Sequence, residues 1–102
     1  SADGEELGLN DLHTDKGMIY SASPNPFSSE VAIQYGVFKP SKVAIVVFNA
    51  AGQLVAELKN EDLLAQKYIA HWQPNAYLPS GQYYIALKIN DLQVHYLKIQ
   101  KK

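Results

Sequence analysis

From Met18 onward the sequence alternates between apolar and polar positions in runs of five to eight residues, each closed by turn chemistry. The runs are Met18–Ser23, Val31–Tyr35, Lys42–Asn49, Leu54–Leu58, Lys67–Trp72, Gln82–Ile89 and Gln93–Gln100. A period of two over such lengths, without a helical period, predicts β-strands. The separators agree. Ser-Pro-Asn-Pro-Phe-Ser-Ser-Glu (23–30) contains two prolines that cannot donate to a ladder, so the first strand must stop there. Lys39-Pro40-Ser41 breaks the chain again, and Asn49-Ala50-Ala51-Gly52 predicts a hairpin loop whose glycine takes positive φ. Leu78-Pro79-Ser80-Gly81 fits a type I turn, and Asn90-Asp91 can close a two-residue hairpin because both tolerate the left-handed region.

Alternation also assigns faces. Val43, Ile45 and Val47 share one side of the third strand, and Tyr83, Ile85, Leu87 and Ile89 share one side of the sixth. In the fifth, Tyr68, Ala70 and Trp72 oppose Lys67, Ile69 and His71. Seven short strands with one apolar face each require a second layer, which predicts an all-β, seven-stranded antiparallel sandwich of Ig-like, Greek-key type. One strand departs from the pattern. Ala44, Val46 and Phe48 make its other face apolar too, as expected of a central strand covered by a loop or of an interaction face.

Length and charge refine this picture. A chain of 102 residues holds one domain. Residues 1–15 carry five acids and no lysine, whereas residues 16–102 carry all nine lysines against five acids. Residues 1–17 are expected to form a flexible acidic linker, and residues 18–102 the sandwich. The absence of arginine and the scattered lysines speak against nucleic-acid binding. No apolar run is long enough to span a membrane, and the acidic opening is not a signal peptide, so an exported protein would carry its signal upstream.

Candidate chemistry is sparse. The sequence contains no cysteine, phosphate loop, nucleophile elbow or His-Glu-x-x-His motif. His13, His71 and His95 are widely separated; the latter two are expected as rim imidazoles, not ligands. Asp3, Glu5 and Glu6 fit a solvated linker better than a calcium loop, and Asn60-Glu61-Asp62 is expected to lie in a loop capping a short helical turn before Leu63-Leu64. The expectation is a non-enzyme with no catalytic residue, metal or cofactor. Trp72, Tyr77, Tyr84 and Tyr96 offer an alternative chemistry, a stacking platform for a sugar ring in an accessory carbohydrate-binding module. A spacer domain is a further alternative.

The order of the punctuation is distinctive. It runs Pro24-Asn25-Pro26-Phe27, then Gly52-Gln53-Leu54-Val55 after an apolar strand, then Leu78-Pro79-Ser80-Gly81 with Tyr83, and last Leu97-Lys98-Ile99 with Lys101-Lys102. From Ile19 to Lys102 this resembles the C-terminal sorting domain of cargo proteins of the type IX (Por) secretion system of Bacteroidetes. The resemblance implies a domain joined to an N-terminal cargo domain, recognised by the type IX translocon, exported through the periplasm and across the outer membrane, and then removed by a surface sortase. The cargo would end on the cell surface or be secreted. It makes Pro24, Asn25, Pro26, Phe27, Gly52, Leu78, Pro79, Gly81, Tyr83, Leu97, Lys98, Ile99, Lys101 and Lys102 the candidate recognition residues, through shape and an exposed terminal strand. Turns alone also need Pro24, Pro26, Gly52, Pro79 and Gly81. The departures are Asn49-Ala50-Ala51 for a commoner Asp-Leu-x, Gln53 for Arg, Ala65-Gln66 without the usual glycine, and Gln73-Pro74 for Asp/Asn-Gly.

Overall fold

A computed structural model describes residues 15–102, all of whose regular elements are strands. Strands β1 (Gly17–Ser23), β2 (Val31–Val37) and β5 (Gln66–Trp72) form one antiparallel sheet in the order β1-β2-β5. Strands β3 (Ser41–Asn49), β4 (Leu54–Leu63), β6 (Gly81–Ile89) and β7 (Leu92–Lys101) form the other, in the order β4-β3-β6-β7. The chain changes sheet after β2, β4 and β5, so non-consecutive strands pair, as in an Ig-like Greek key. The acids Asp3, Glu5, Glu6 and Asp11, and His13, lie outside the described residues.

The apolar faces of the two sheets meet. Ile19, Ile33, Tyr35 and Val37 from one sheet face Val43, Ile45, Val47, Ile85, Leu87 and Ile89 from the other, all buried. Turns follow their chemistry: Gly52 has φ 84°, and Asn90 and Asp91 have φ 52° and 68°, as a type I′ hairpin requires. Asn90 Oδ1 also accepts the Lys42 N–H at 3.0 Å, tying the β6–β7 turn to β3.

The exception is β4. The expected loop and helical turn at Asn60–Leu63 are instead strand, paired as Lys42↔Asp62 and Ser41↔Leu63. The segment is polar because β4 is an edge strand: its backbone pairs with β3 on one side only, and its Glu57, Glu61 and Asp62 side chains are exposed. Two register shifts against β3 let the strand twist along the flank.

Candidate functional site

The sequence blocks singled out above lie far apart along the chain, yet the fold gathers them at one end of the sandwich. The chain leaves β1 at Ser23, and Pro24-Asn25-Pro26, with both X–Pro bonds cis, brings Phe27 against β7. Phe27 N–H donates to the Gln100 carbonyl at 2.9 Å, and Lys102 N–H donates to the Phe27 carbonyl at 2.8 Å. Asn25 Oδ1 accepts the Gln100 N–H at 2.9 Å. The prolines offer no donors, so the asparagine between them and the phenylalanine after them supply the polar contacts.

Beneath this clasp lies a row of rings. Phe27 is fully buried, with its ring centroid 5.6 Å from that of Trp72, and Trp72 sits 5.6 Å edge-on to Tyr83. Tyr83 O–H donates to the Pro79 carbonyl at 2.6 Å, the arrangement of a tyrosine corner at the start of β6. Burial raises the pKa of this phenol, so it stays a neutral donor. The Leu78–Tyr83 block is therefore a loop pinned to its own strand.

The glycine blocks border the same end. Asn49 pairs with Tyr83, and Gly81 pairs with Lys101. A surface depression of about 280 Å³ lies between the Asn49–Ala51 and Leu78–Gly81 loops. A Cβ at Gly52 or Gly81 would meet nothing within 4 Å, but their φ values of 84° and 141° demand glycine. Asn49 Oδ1 accepts from the Ala51 and Gln53 N–H groups, both at 2.9 Å. Asn49 Nδ2 also donates to Gln53 Oε1 at 2.9 Å. Two departures from the family pattern thus touch each other. Asn49 and Gln53 meet there as a neutral amide pair.

The candidate residues divide by exposure. Pro24, Asn25, Pro26, Gly52, Pro79, Lys98 and Lys102 are exposed, and Leu78, Gly81 and Leu97 are partly buried. Phe27, Tyr83, Ile99 and Lys101 are buried, at 0%, 4%, 1% and 8% exposure. These four are enclosed by the fold and support the exposed residues around them. Nor is the end of β7 an open strand edge as expected, since Phe27 pairs with it in parallel at Lys101.

Among the described residues, no group of three or more His, Cys, Asp or Glu side chains could hold a metal ion. No helix among them is long and apolar enough to cross a membrane, which says nothing of β-barrels. His71 Nδ1 lies 3.3 Å from Glu30 Oε2, an exposed pair joined by the β2–β5 pairing and invisible at a spacing of 41 residues. His95 is partly buried, not a free rim group: its Nδ1 accepts the Ile19 N–H at 2.9 Å, across the gap between β1 and β7. Desolvation lowers its pKa, consistent with that acceptor role. The four rings considered for stacking do not come together. Trp72 is core, Tyr77 stands alone at 92% exposure, and Tyr84 and Tyr96 meet at 68° on the outer face of the larger sheet.

Comparison with known proteins agrees with the geometry. Two of the solved structures to which the chain is similar are as follows. A β-glucosidase from Kluyveromyces marxianus aligns with a TM-score of 0.56 at 9% identity, covering 85% of this chain and 14% of that one. An alkylpurine DNA glycosylase, AlkC, from Pseudomonas fluorescens, bound to DNA containing an abasic site analog, aligns at 0.48 and 11% identity, covering 85% and 30%. This chain thus spans less than a third of either protein, and the first likeness shows the sandwich fold alone. No curated protein matches it in sequence. The profile of the family described as "Secretion system C-terminal sorting domain" matches residues 19–102, from the middle of β1 through the clasp to the last strand. The chain belongs to this family, the C-terminal sorting domains of type IX secretion.

Proposed function

We propose that the type IX translocon reads this domain as a folded object, at the end where Pro24–Phe27 clasps β7. A surface sortase then separates it from its cargo within the acidic segment preceding Gly17. Family membership over residues 19–102 supports the sorting role, and it implies export to the cell surface or the extracellular space. The observation that favours this end is the convergence of all four sequence blocks there, with Pro24, Asn25, Pro26 and Lys102 exposed above a buried Phe27–Trp72–Tyr83 row. Burial of the rings holds the exposed groups in fixed positions, so recognition works through shape and main-chain geometry. The domain itself contributes an address and not a reaction.

The test is export of a reporter that carries a periplasmic signal peptide and ends in residues 1–102, in a type IX-competent cell. The reporter is expected outside the cell, and retention in the periplasm would reject the proposal. Asn25→Ala leaves the buried rings in place and loses one contact to Gln100. It is expected to reduce export by more than its loss of thermal stability explains; unchanged export would move the contact surface elsewhere.

A further inference from the structure

The outer face of the larger sheet carries a groove that the clasp does not use. Phe48, Tyr84 and Tyr96 wall it, Ala86 forms its floor, Gln93 and Gly52 stand at its rims, and its volume is about 320 Å³. Val46 and Ala86 are only 4% and 1% exposed although they point away from the core, because these rings shelter them. This is the second apolar face of β3 seen in the sequence. The rings meet at 68°, which makes a notch sized for aliphatic side chains and not a flat shelf for a sugar.

Two lysines frame the notch. Lys98 pairs across the sheet with Tyr84, toward the clasp end; Lys88 pairs with Gln93, toward the opposite end. Neither has an acidic partner among the described residues. The groove therefore fits an acidic segment with apolar side chains between its charges. The chain carries one itself: Glu5-Glu6-Leu7-Gly8-Leu9-Asn10-Asp11. It lies within the stretch of five acids and no lysine that precedes a body with a lysine excess.

Reach permits the contact. Gly17 enters the sandwich beside the Leu87 and Ile89 side chains, at the end of β6 away from the clasp. The five residues from Ile89 back to Tyr84 span about 17 Å of strand. The eight residues from Gly17 back to Leu9 reach about 26 Å when extended.

We propose that Glu5–Asp11 docks on this groove within the same molecule. Leu7 and Leu9, on one side of an extended segment, fill the notch between Phe48, Tyr84 and Tyr96. The direction of the chain brings Glu5 and Glu6 to Lys98, and Asp11 to Lys88. The contact does not depend on the sorting role. If that role holds, docking withholds from the sortase the extended backbone that a protease cleft requires.

The chain has no cysteine, so Asn10→Cys in the full chain takes a single nitroxide label. Amide signals of Tyr84, Ala86, Tyr96 and Lys98 are expected to lose most of their intensity, while those of Ile69 and His71 on the opposite face keep theirs. Raising salt to about 1 M, where the Debye length is about 3 Å, is expected to restore the signals substantially. Adding Lys88→Glu and Lys98→Glu to the labelled chain is expected to do the same. An unselective pattern, or selective losses that survive charge reversal, would overturn the proposal. So would losses that appear equally when nitroxide-labelled chains are mixed with unlabelled, isotope-enriched ones, because the groove would then take a second copy's segment.

Discussion

The two ends of the sandwich are built differently. At the clasp end, side chains from distant parts of the sequence lock onto one another: Asn25 to Gln100, Phe27 to Trp72, Trp72 to Tyr83, and Tyr83 to Pro79. At the opposite end, where Gly17 enters, an exposed turn is tied across to β3: Lys42 N–H donates to Asn90 Oδ1 at 3.0 Å, and Asn90 N–H to the Lys42 carbonyl at 2.8 Å. Asn90-Asp91 closes a hairpin at positive φ, and Lys42 makes an exposed 3.4 Å contact with Asp91. The entry end therefore holds together through polar contacts between a turn and β3, whereas the clasp end joins the segment after β1 to β7. At the clasp end the long-range contacts sit above a buried row of rings; at the entry end they are exposed.

That contrast can be broken most directly at Phe27. Phe27→Ala removes a fully buried ring and is expected to cost about 3–5 kcal/mol. Leu64→Ala, at a 69% exposed site near the entry end, is expected to stay within about 0.5 kcal/mol. Chemical denaturation measures both, and comparable losses would erase the distinction. Tyr83→Phe keeps the ring and loses the bond to Pro79, for an expected cost of about 0.5–1.5 kcal/mol. A neutral result would mean that packing alone holds the corner.

The flank between the ends is sharpened by pH. Burial holds the His95 pKa below its ordinary 6.5, so the unfolded chain takes up this proton more readily than the folded one. Stability is expected to be fully present above pH 6.5 and to fall as pH drops below it. A protonated Nδ1 can no longer accept the Ile19 N–H. His71→Gln, which removes the exposed contact with Glu30, serves as the control. Melting curves of His95→Gln are expected to lose the slope just below pH 6.5, and a slope that survives would assign it elsewhere. The smallest effect concerns Asn49 and Gln53. In a double-mutant cycle, Asn49→Asp with Gln53→Arg is expected to show a favourable coupling of about 0.2–1 kcal/mol, shrinking with salt. No coupling would mean the amide contact is incidental.

Much of this was legible along the chain because β-structure with one wet face writes a period of two. Alternation placed Val43, Ile45, Val47, Ile85 and Leu87 inside, and Gly52, Asn90 and Asp91 announced their turns. The sequence blocks also pointed to the right family. The polar half of β4 misled the reading, because an edge strand takes its identity from the backbone of β3 and not from its own side chains.

What the sequence determined alone was therefore local: strand periods, breaks, turn geometry, and the inventory of chemistry it lacks. Tertiary structure decided which blocks meet. It buried Phe27 and Tyr83, paired the end of the last strand with Phe27, and turned His95 into an acceptor for Ile19. The physical reason is separation along the chain. Phe27 and Gln100, like Ile19 and His95, lie more than seventy residues apart, so no local period encodes their pairing.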